Sequence, residues 1–165
     1  MNSSMSEVDN LIENELIQVV YRSRSNTDEA GEKSILEASR RNNPSRSVSG
    51  VLVFHAGWFL QVLEGPAHEI RNLLAVIQSD PRHVDFLVLR LTSLDVRYYD
   101  EWSMVGVTVD ADRFATLITG LMYGRSEVAQ LLREFIAGGR WRDPDRHVTK
   151  AGSQAVEAPE LLTLV

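Results

Sequence analysis

The stretch that decides the fold is Val48–Pro66, VSGVLVFHAGWFLQVLEGP. Two runs of β-branched, aliphatic and aromatic residues, VLVFH and WFLQVL, flank the dipeptide Ala56–Gly57. That pattern predicts two strands joined by a tight hairpin, which ends at Gly65–Pro66. Alternation within WFLQVL puts Gln61 on the face of Phe59 and Leu63. An amide on an otherwise apolar face must find hydrogen-bond partners, because an unsatisfied buried amide costs on the order of 1–3 kcal/mol. Backbone or water can supply them, and so can a bound polar ring.

Upstream, LIQVVYRS (Leu16–Ser23) predicts a strand with Ile17, Val19 and Tyr21 on one face. A polar, turn-like connection follows, and KSILEASRRNN then predicts a helix. Ser34 and Glu37 have capping-box spacing, although the acidic Asp28–Glu29 region could start the helix a turn earlier; Asn42–Asn43–Pro44 stops it. Downstream, Pro66 suits the first turn of a second helix, in which Ile70, Leu73, Leu74 and Ile77 form a core-facing stripe. Asp80–Pro81 closes that helix, and FLVLRLTSL and WSMVGVTV supply two further strands.

The resulting order, β-α-β-β-α-β-β, contains the split β-α-β unit of ferredoxin-like sheets. The expected class is α+β, with both helices on one sheet face. After Val109, ADRFATLITGLMYG and SEVAQLLREFIAGG read as two amphipathic helices that would cap the other face. The expected organisation is a flexible leader (1–14), a main domain (15–109), a helical cap or output segment (110–139) and a poorly ordered tail (140–165).

Composition narrows the function. The 165 residues, 44% of them hydrophobic, can bury one ordinary core. A net charge of −6 disfavours phosphate backbones, so nucleic acid is not expected as a direct partner. The chain has no cysteine, which excludes disulfides, iron–sulfur clusters, thiolate zinc sites and cysteine nucleophiles. His55, His68, His83 and His147 show no metal-ligand spacing, and no metal is expected. GxGxxG, P-loop and GxSxG motifs are absent from the sequence. Nothing approaches the ~18 continuous apolar residues of a membrane helix, and the first residues lack a secretory pattern, so a cytoplasmic location is expected.

Several polar residues stand out against this frame. Tyr21 shares its strand face with aliphatic residues, and a phenol there is commonplace in cores. If the Tyr21 and Gln61 faces both turn toward the helices, the phenol and the amide meet in one layer. Asn42 and Asn43 are good helix-ending residues. Ile35 and Asn42 also share a helix face at i, i+7, a pairing that suits a flat heteroaromatic ligand. Trp102 and Met104 alternate onto one face of the last strand, where an aromatic and a thioether can serve simply as core fillers.

From about Leu16 to Met104 the stretches VYRSR, ILEASRRNNPSRSVSGVLVFHAGWFLQVLEGP, DPRH and WSM resemble, in order and spacing, the BLUF family of blue-light sensors using FAD. The resemblance implies non-covalently bound FAD, with FMN or riboflavin as substitutes. Tyr21 would be the light-dependent electron and proton donor, and Gln61 would lie between it and the flavin N5/O4 edge. Asn43 would hold the polar edge of the ring, with Asn42 near the pyrimidine side or the ribityl chain. Ile35 and Ile77 would pack on the ring, and Arg82 and His83 would lie near the ribityl or phosphate end. Trp102 and Met104 would relay the altered Gln61 to the last strand. Many relatives have a basic residue in place of Val76, so adenine or phosphate contact would be weaker here.

A chain without cysteine cannot form a flavin–cysteinyl adduct, which leaves electron transfer and hydrogen bonding. Too few residues follow Gly139 for an effector domain, so the expected output is a separate partner protein or altered self-association in a homo-oligomer. Two rival readings differ in class. An acylphosphatase-like hydrolase would use Arg22 or Arg24 with Asn42, but SRSNTDEA offers no glycine for a phosphate loop before Gly31. A photochemically silent binding module would keep the fold without colour.

Overall fold

Ala56 and Gly57 both adopt positive φ (45° and 79°), the geometry of a two-residue turn whose twist matches that of its strands. His55 and Trp58 pair across it, so the Ala56–Gly57 hairpin forms as its sequence predicts. In the computed structural model of the chain, the described residues are 13–100, 103–123, 130 and 132. Their elements are β1 (Leu16–Ser25), α1 (Glu29–Asn42), a 3-10 turn (Pro44–Arg46), β2 (Ser49–His55), β3 (Trp58–Pro66), α2 (Ala67–Ser79), β4 (His83–Ser93), β5 (Val105–Thr108) and α3 (Ala111–Met122).

The five strands form one sheet in the order β4-β1-β3-β2-β5. β1 runs antiparallel to β3 and β4, and β2 antiparallel to β3. This is the ferredoxin-like arrangement expected of the α+β order, with β5 added in parallel beside β2. Register aligns Val88, Tyr21, Gln61, Leu52 and Gly106 in one row across the sheet.

Strand alternation sorts the apolar residues into two layers. Ile17, Val19, Tyr21, Leu52, Phe59 and Leu63 meet Ile35 of α1 and Ile70 and Leu74 of α2 on the near face. Leu73 and Ile77 are half-buried against the same layer, as the helical stripe requires. On the far face Val20, Val51, Val53, Leu60 and Val62 pack with Leu117 and Leu121 of α3. That helix caps the far side as expected. The second expected cap helix lies outside the described residues apart from Gln130 and Leu132, and Leu132 is buried in the far layer. The expected tail and most of the expected leader also lie outside them.

Local signals compete at two element ends. α1 begins at Glu29, not in the Ser34 turn, and Asp28 caps it by accepting from the Gly31 amide at 2.9 Å. Ser34 and Glu37 therefore sit mid-helix, and Glu37 pairs with Lys33 (3.7 Å) instead of completing a capping box. β5 is shorter than the run WSMVGVTV predicted: it spans four residues, with Met104 just before it. Residues 13–15 are tied down. The carbonyls of Glu15 and Glu13 accept from the amides of Ala67 (2.8 Å) and His68 (3.1 Å), satisfying the first turn of α2. No helix among the described residues is long and apolar enough to cross a membrane.

Candidate functional site

At the centre of the near layer, Tyr21 is fully buried and its hydroxyl donates to Gln61 Oε1. The two residues face each other across the β1–β3 ladder, so their alternation in two strands brings phenol and amide together. The other end of the amide is engaged as well: Gln61 Nε2 donates to Met104 Sδ at 3.4 Å. Tyr21, Gln61 and Met104 thus form one buried chain from the middle of the sheet to the start of its last strand.

The ring of Phe86 stacks on Tyr21, with centroids 4.5 Å apart. Burial pushes the Tyr21 phenol well above its usual range, and the negative charge of Asp80 adds to the effect. Tyr21 is therefore a neutral phenol, with its proton aimed at the Gln61 carbonyl oxygen. His83 is buried beside it, its Nδ1 2.9 Å from Ser23 Oγ and its ring 4.7 Å from that of Phe59. Burial lowers the His83 imidazole to about 4; Asp80 opposes that shift and Arg82 reinforces it.

The remaining predicted residues divide. Ile35 is buried in the near layer and Ile77 half-buried against it. Asn43, only 1% exposed, donates from Nδ2 to Ser103 O at 2.9 Å. It thereby joins the end of α1 to the approach to β5. Asn42 is exposed and does not share the burial of Ile35. The last turn of α1 leads instead into Asn43, whose own carbonyl accepts from the Arg46 and Val48 amides at 3.0 Å each. Arg82 pairs with Asp80 (2.5 Å), and that contact holds the Asp80 carboxyl below its usual range. Trp102 lies outside the described residues.

Three contributors were missing from the sequence reading. Ser23 could have been found, because it shares the face of Tyr21 two residues on. Phe86 reaches Tyr21 only because β4 carries register irregularities opposite β1 and Asp85 adopts φ 52°, and no sequence signal marks those shifts. Arg40 donates from Nε to Met104 O at 3.1 Å, a contact that depends on how α1 lies along the sheet edge.

The donor set fits a flavin. Two buried amides, Gln61 and Asn43, stand beside a layer of aliphatic and aromatic side chains, with Ile35 and Ile77 supplied by different helices. The residues needed by the hydrolase reading are not gathered. Arg22 and Arg24 lie over the Trp58 ring at 4.9 and 5.8 Å, and Arg22 pairs in register with Leu60 of the far layer. Among the described residues, no group of three or more histidine or acidic side chains could hold a metal.

Several known proteins are similar to this chain. The photoactivated adenylate cyclase subunit beta of Euglena gracilis is 36% identical over 76 residues, a match covering 46% of this chain and 9% of that protein. The blue light- and temperature-regulated antirepressor BluF of Escherichia coli (strain K12) is 33% identical over 76 residues, covering 45% of this chain and 19% of that protein. The chain thus spans only a small part of the length of these relatives. Among solved structures, the dark state of BlrB, a BLUF protein, superposes with a TM-score of 0.62 at 29% identity, covering 77% of this chain and 98% of that one. Klebsiella pneumoniae BlrP1 with FMN and cyclic diGMP gives a TM-score of 0.57 at 26% identity, covering 75% of this chain and 35% of that one. A family model described as sensors of blue-light using FAD matches residues 16–105, more than half of the chain. The chain belongs to the BLUF family.

Proposed function

We propose that this protein is a blue-light photoreceptor in which Tyr21 and Gln61 are the photoactive pair. The observation that supports this most directly is the buried Tyr21–Gln61–Met104 chain. A bound flavin supplies a strong one-electron oxidant when it absorbs blue light. Tyr21 is the side chain to be oxidised, and the proton a phenol must shed already has an acceptor in Gln61 Oε1. When the electron and proton return, Gln61 settles with its amide hydrogen bonds exchanged, and Nε2 no longer donates to Met104 Sδ. The changed contact is the signal, and it needs no covalent bond.

Asn43 would hold the polar edge of the flavin, Ile35 and Ile77 would flank its ring, and His83 and Arg82 would serve the ribityl or phosphate end. Asn42, at the exposed end of α1, would lie near the pyrimidine side or the ribityl chain. FAD is the proposed cofactor, with FMN or riboflavin able to replace it. The FMN in the BlrP1 structure supports the isoalloxazine as the shared recognition element. Val76 is 55% exposed and apolar, which offers little to an adenine or phosphate tail.

The chain itself is proposed to be a sensor, not an enzyme, since its similarity to the photoactivated cyclase is confined to 9% of that protein. Output passes to a separate signalling protein or through altered self-association of a homo-oligomer in the cytoplasm, with no membrane or nucleic acid contacted directly. Trp102, two positions before Met104 in the sequence, is proposed as a second relay residue. The test is the absorption spectrum of the purified protein before and after blue light. A flavin spectrum with a reversible shift to longer wavelength is expected; a colourless protein, or flavin that only bleaches, overturns the proposal.

A further inference from the structure

Trp58 opens β3 three positions before Gln61, about 10 Å along the strand. Alternation turns its ring to the far face, away from that of Tyr21 and Gln61. An indole is easier to oxidise than a phenol, and electron transfer to an excited flavin falls off with distance without needing contact. A tryptophan this close to the photoactive pair is therefore a rival electron donor. Its oxidation is unproductive: the electron leaves the indole for the flavin and returns from it, and the Tyr21 proton does not move. The balance shifts toward Tyr21 when the indole is made harder to oxidise.

The neighbours of Trp58 have that effect. Arg24 stands directly opposite it on β1 and Arg22 diagonally, and both guanidiniums lie over the ring, at 5.8 and 4.9 Å. A cation over an aromatic face is attracted to the neutral ring. The same cation repels the radical cation that loss of one electron would leave. The two arginines differ in strength. Arg24 is exposed and Asp85 lies 3.6 Å from it, so its field is screened and partly neutralised. Arg22 is nearer the ring and half-buried, and among the described residues it has no carboxylate partner; its Nη1 is buried without a hydrogen bond. An unsatisfied buried donor on a cation costs the fold stability. Burial also leaves that charge poorly screened beside the indole.

We propose that Arg22, with Arg24 in a lesser part, is an electrostatic shield that keeps Trp58 from competing with Tyr21 as electron donor. Arg22 acts through the indole, as a positioning residue. The shield selects which side chain the light reaction oxidises, and its use rests on the photoreceptor reading given above.

Oxidation in darkness separates the shield from the photocycle. The flavin-loaded full chain is exposed to radiolytically generated azide radicals, neutral one-electron oxidants that favour indoles, and its peptides are weighed by mass spectrometry. Arg22→Met keeps an unbranched stem over the ring without the charge. Oxygen addition to the peptide carrying Trp58 is expected to rise at least threefold in Arg22→Met and less in Arg24→Met, and to stay near the wild-type level in Arg22→Lys. Equal oxidation in Arg22→Met and wild type, or a larger rise in Arg24→Met, overturns the shield. Under blue light, Arg22→Met is expected to lose at least half of the red-shift yield per absorbed photon, and the double variant Arg22→Met with Trp58→Phe to recover it. An unchanged yield in Arg22→Met, or a loss that persists without Trp58, contradicts the proposal. Absence of the red shift in wild type sinks the photoreceptor reading, and the use of the shield with it, whatever the azide result. Arg22→Gln serves the same comparisons should Arg22→Met not fold.

Discussion

Tyr21 combines complete burial with a hydroxyl committed to Gln61, and each half of the pair constrains the other. Replacing Gln61 by Leu removes the acceptor of a buried phenol, a loss of about 1–3 kcal/mol. The variant is expected to stay folded and yellow and to show no red shift; a normal light-minus-dark spectrum would remove Gln61 from its role. His83 gives a pH prediction. Its imidazole titrates near 4 in the folded chain, against about 6.5 when unfolded. Between those values the unfolded chain binds the extra proton, so stability falls as pH drops from about 6.5 to about 4, by about 3 kcal/mol from this group. Urea midpoints across that range should fall more steeply for wild type than for His83→Gln, and parallel slopes would contradict it. The shared face of Tyr21 and Gln61 was legible from alternation alone. The different burial of Asn42 and Asn43 was not, because helical spacing aligns Asn42 with Ile35 while the chain leaves the helix at Asn43.

Among the elements, β2 and β3 approach each other closely at Gly50. A Cβ at Gly50 would lie 2.0 Å from Val62 O, a backbone atom with no freedom to yield. Gly50→Ala is expected to cost about 1–3 kcal/mol through overpacking, read as a lower denaturation midpoint; an unchanged midpoint would show that the strands can separate without loss. The hairpin was legible because Ala56–Gly57 sits between two apolar runs. The start of α1 was less so, because EAGEK carries no apolar period. Acidic residues favour the positive end of the helix macrodipole there, and Asp28 outcompetes the capping-box spacing of Ser34 and Glu37.

At the scale of the whole molecule, one sheet separates two layers with different tasks: the near layer holds the polar chain and the far layer is closed by α3. Leu117 is fully buried in the far layer, and Leu117→Ala is expected to cost about 2–5 kcal/mol by leaving a cavity. Its red shift should persist at temperatures where it remains folded; loss of the shift would mean that the far layer shapes the site. The split β-α-β order made the four-strand sheet legible, whereas the parallel placement of β5 beside β2 depends on a connection whose course no local pattern encodes. If the Tyr21 hydroxyl starts the signal, light-minus-dark absorption of Tyr21→Phe beside wild type must show it. Bound flavin is expected in both proteins and a reversible red shift in wild type only; an equal shift in Tyr21→Phe would remove the hydroxyl from that role.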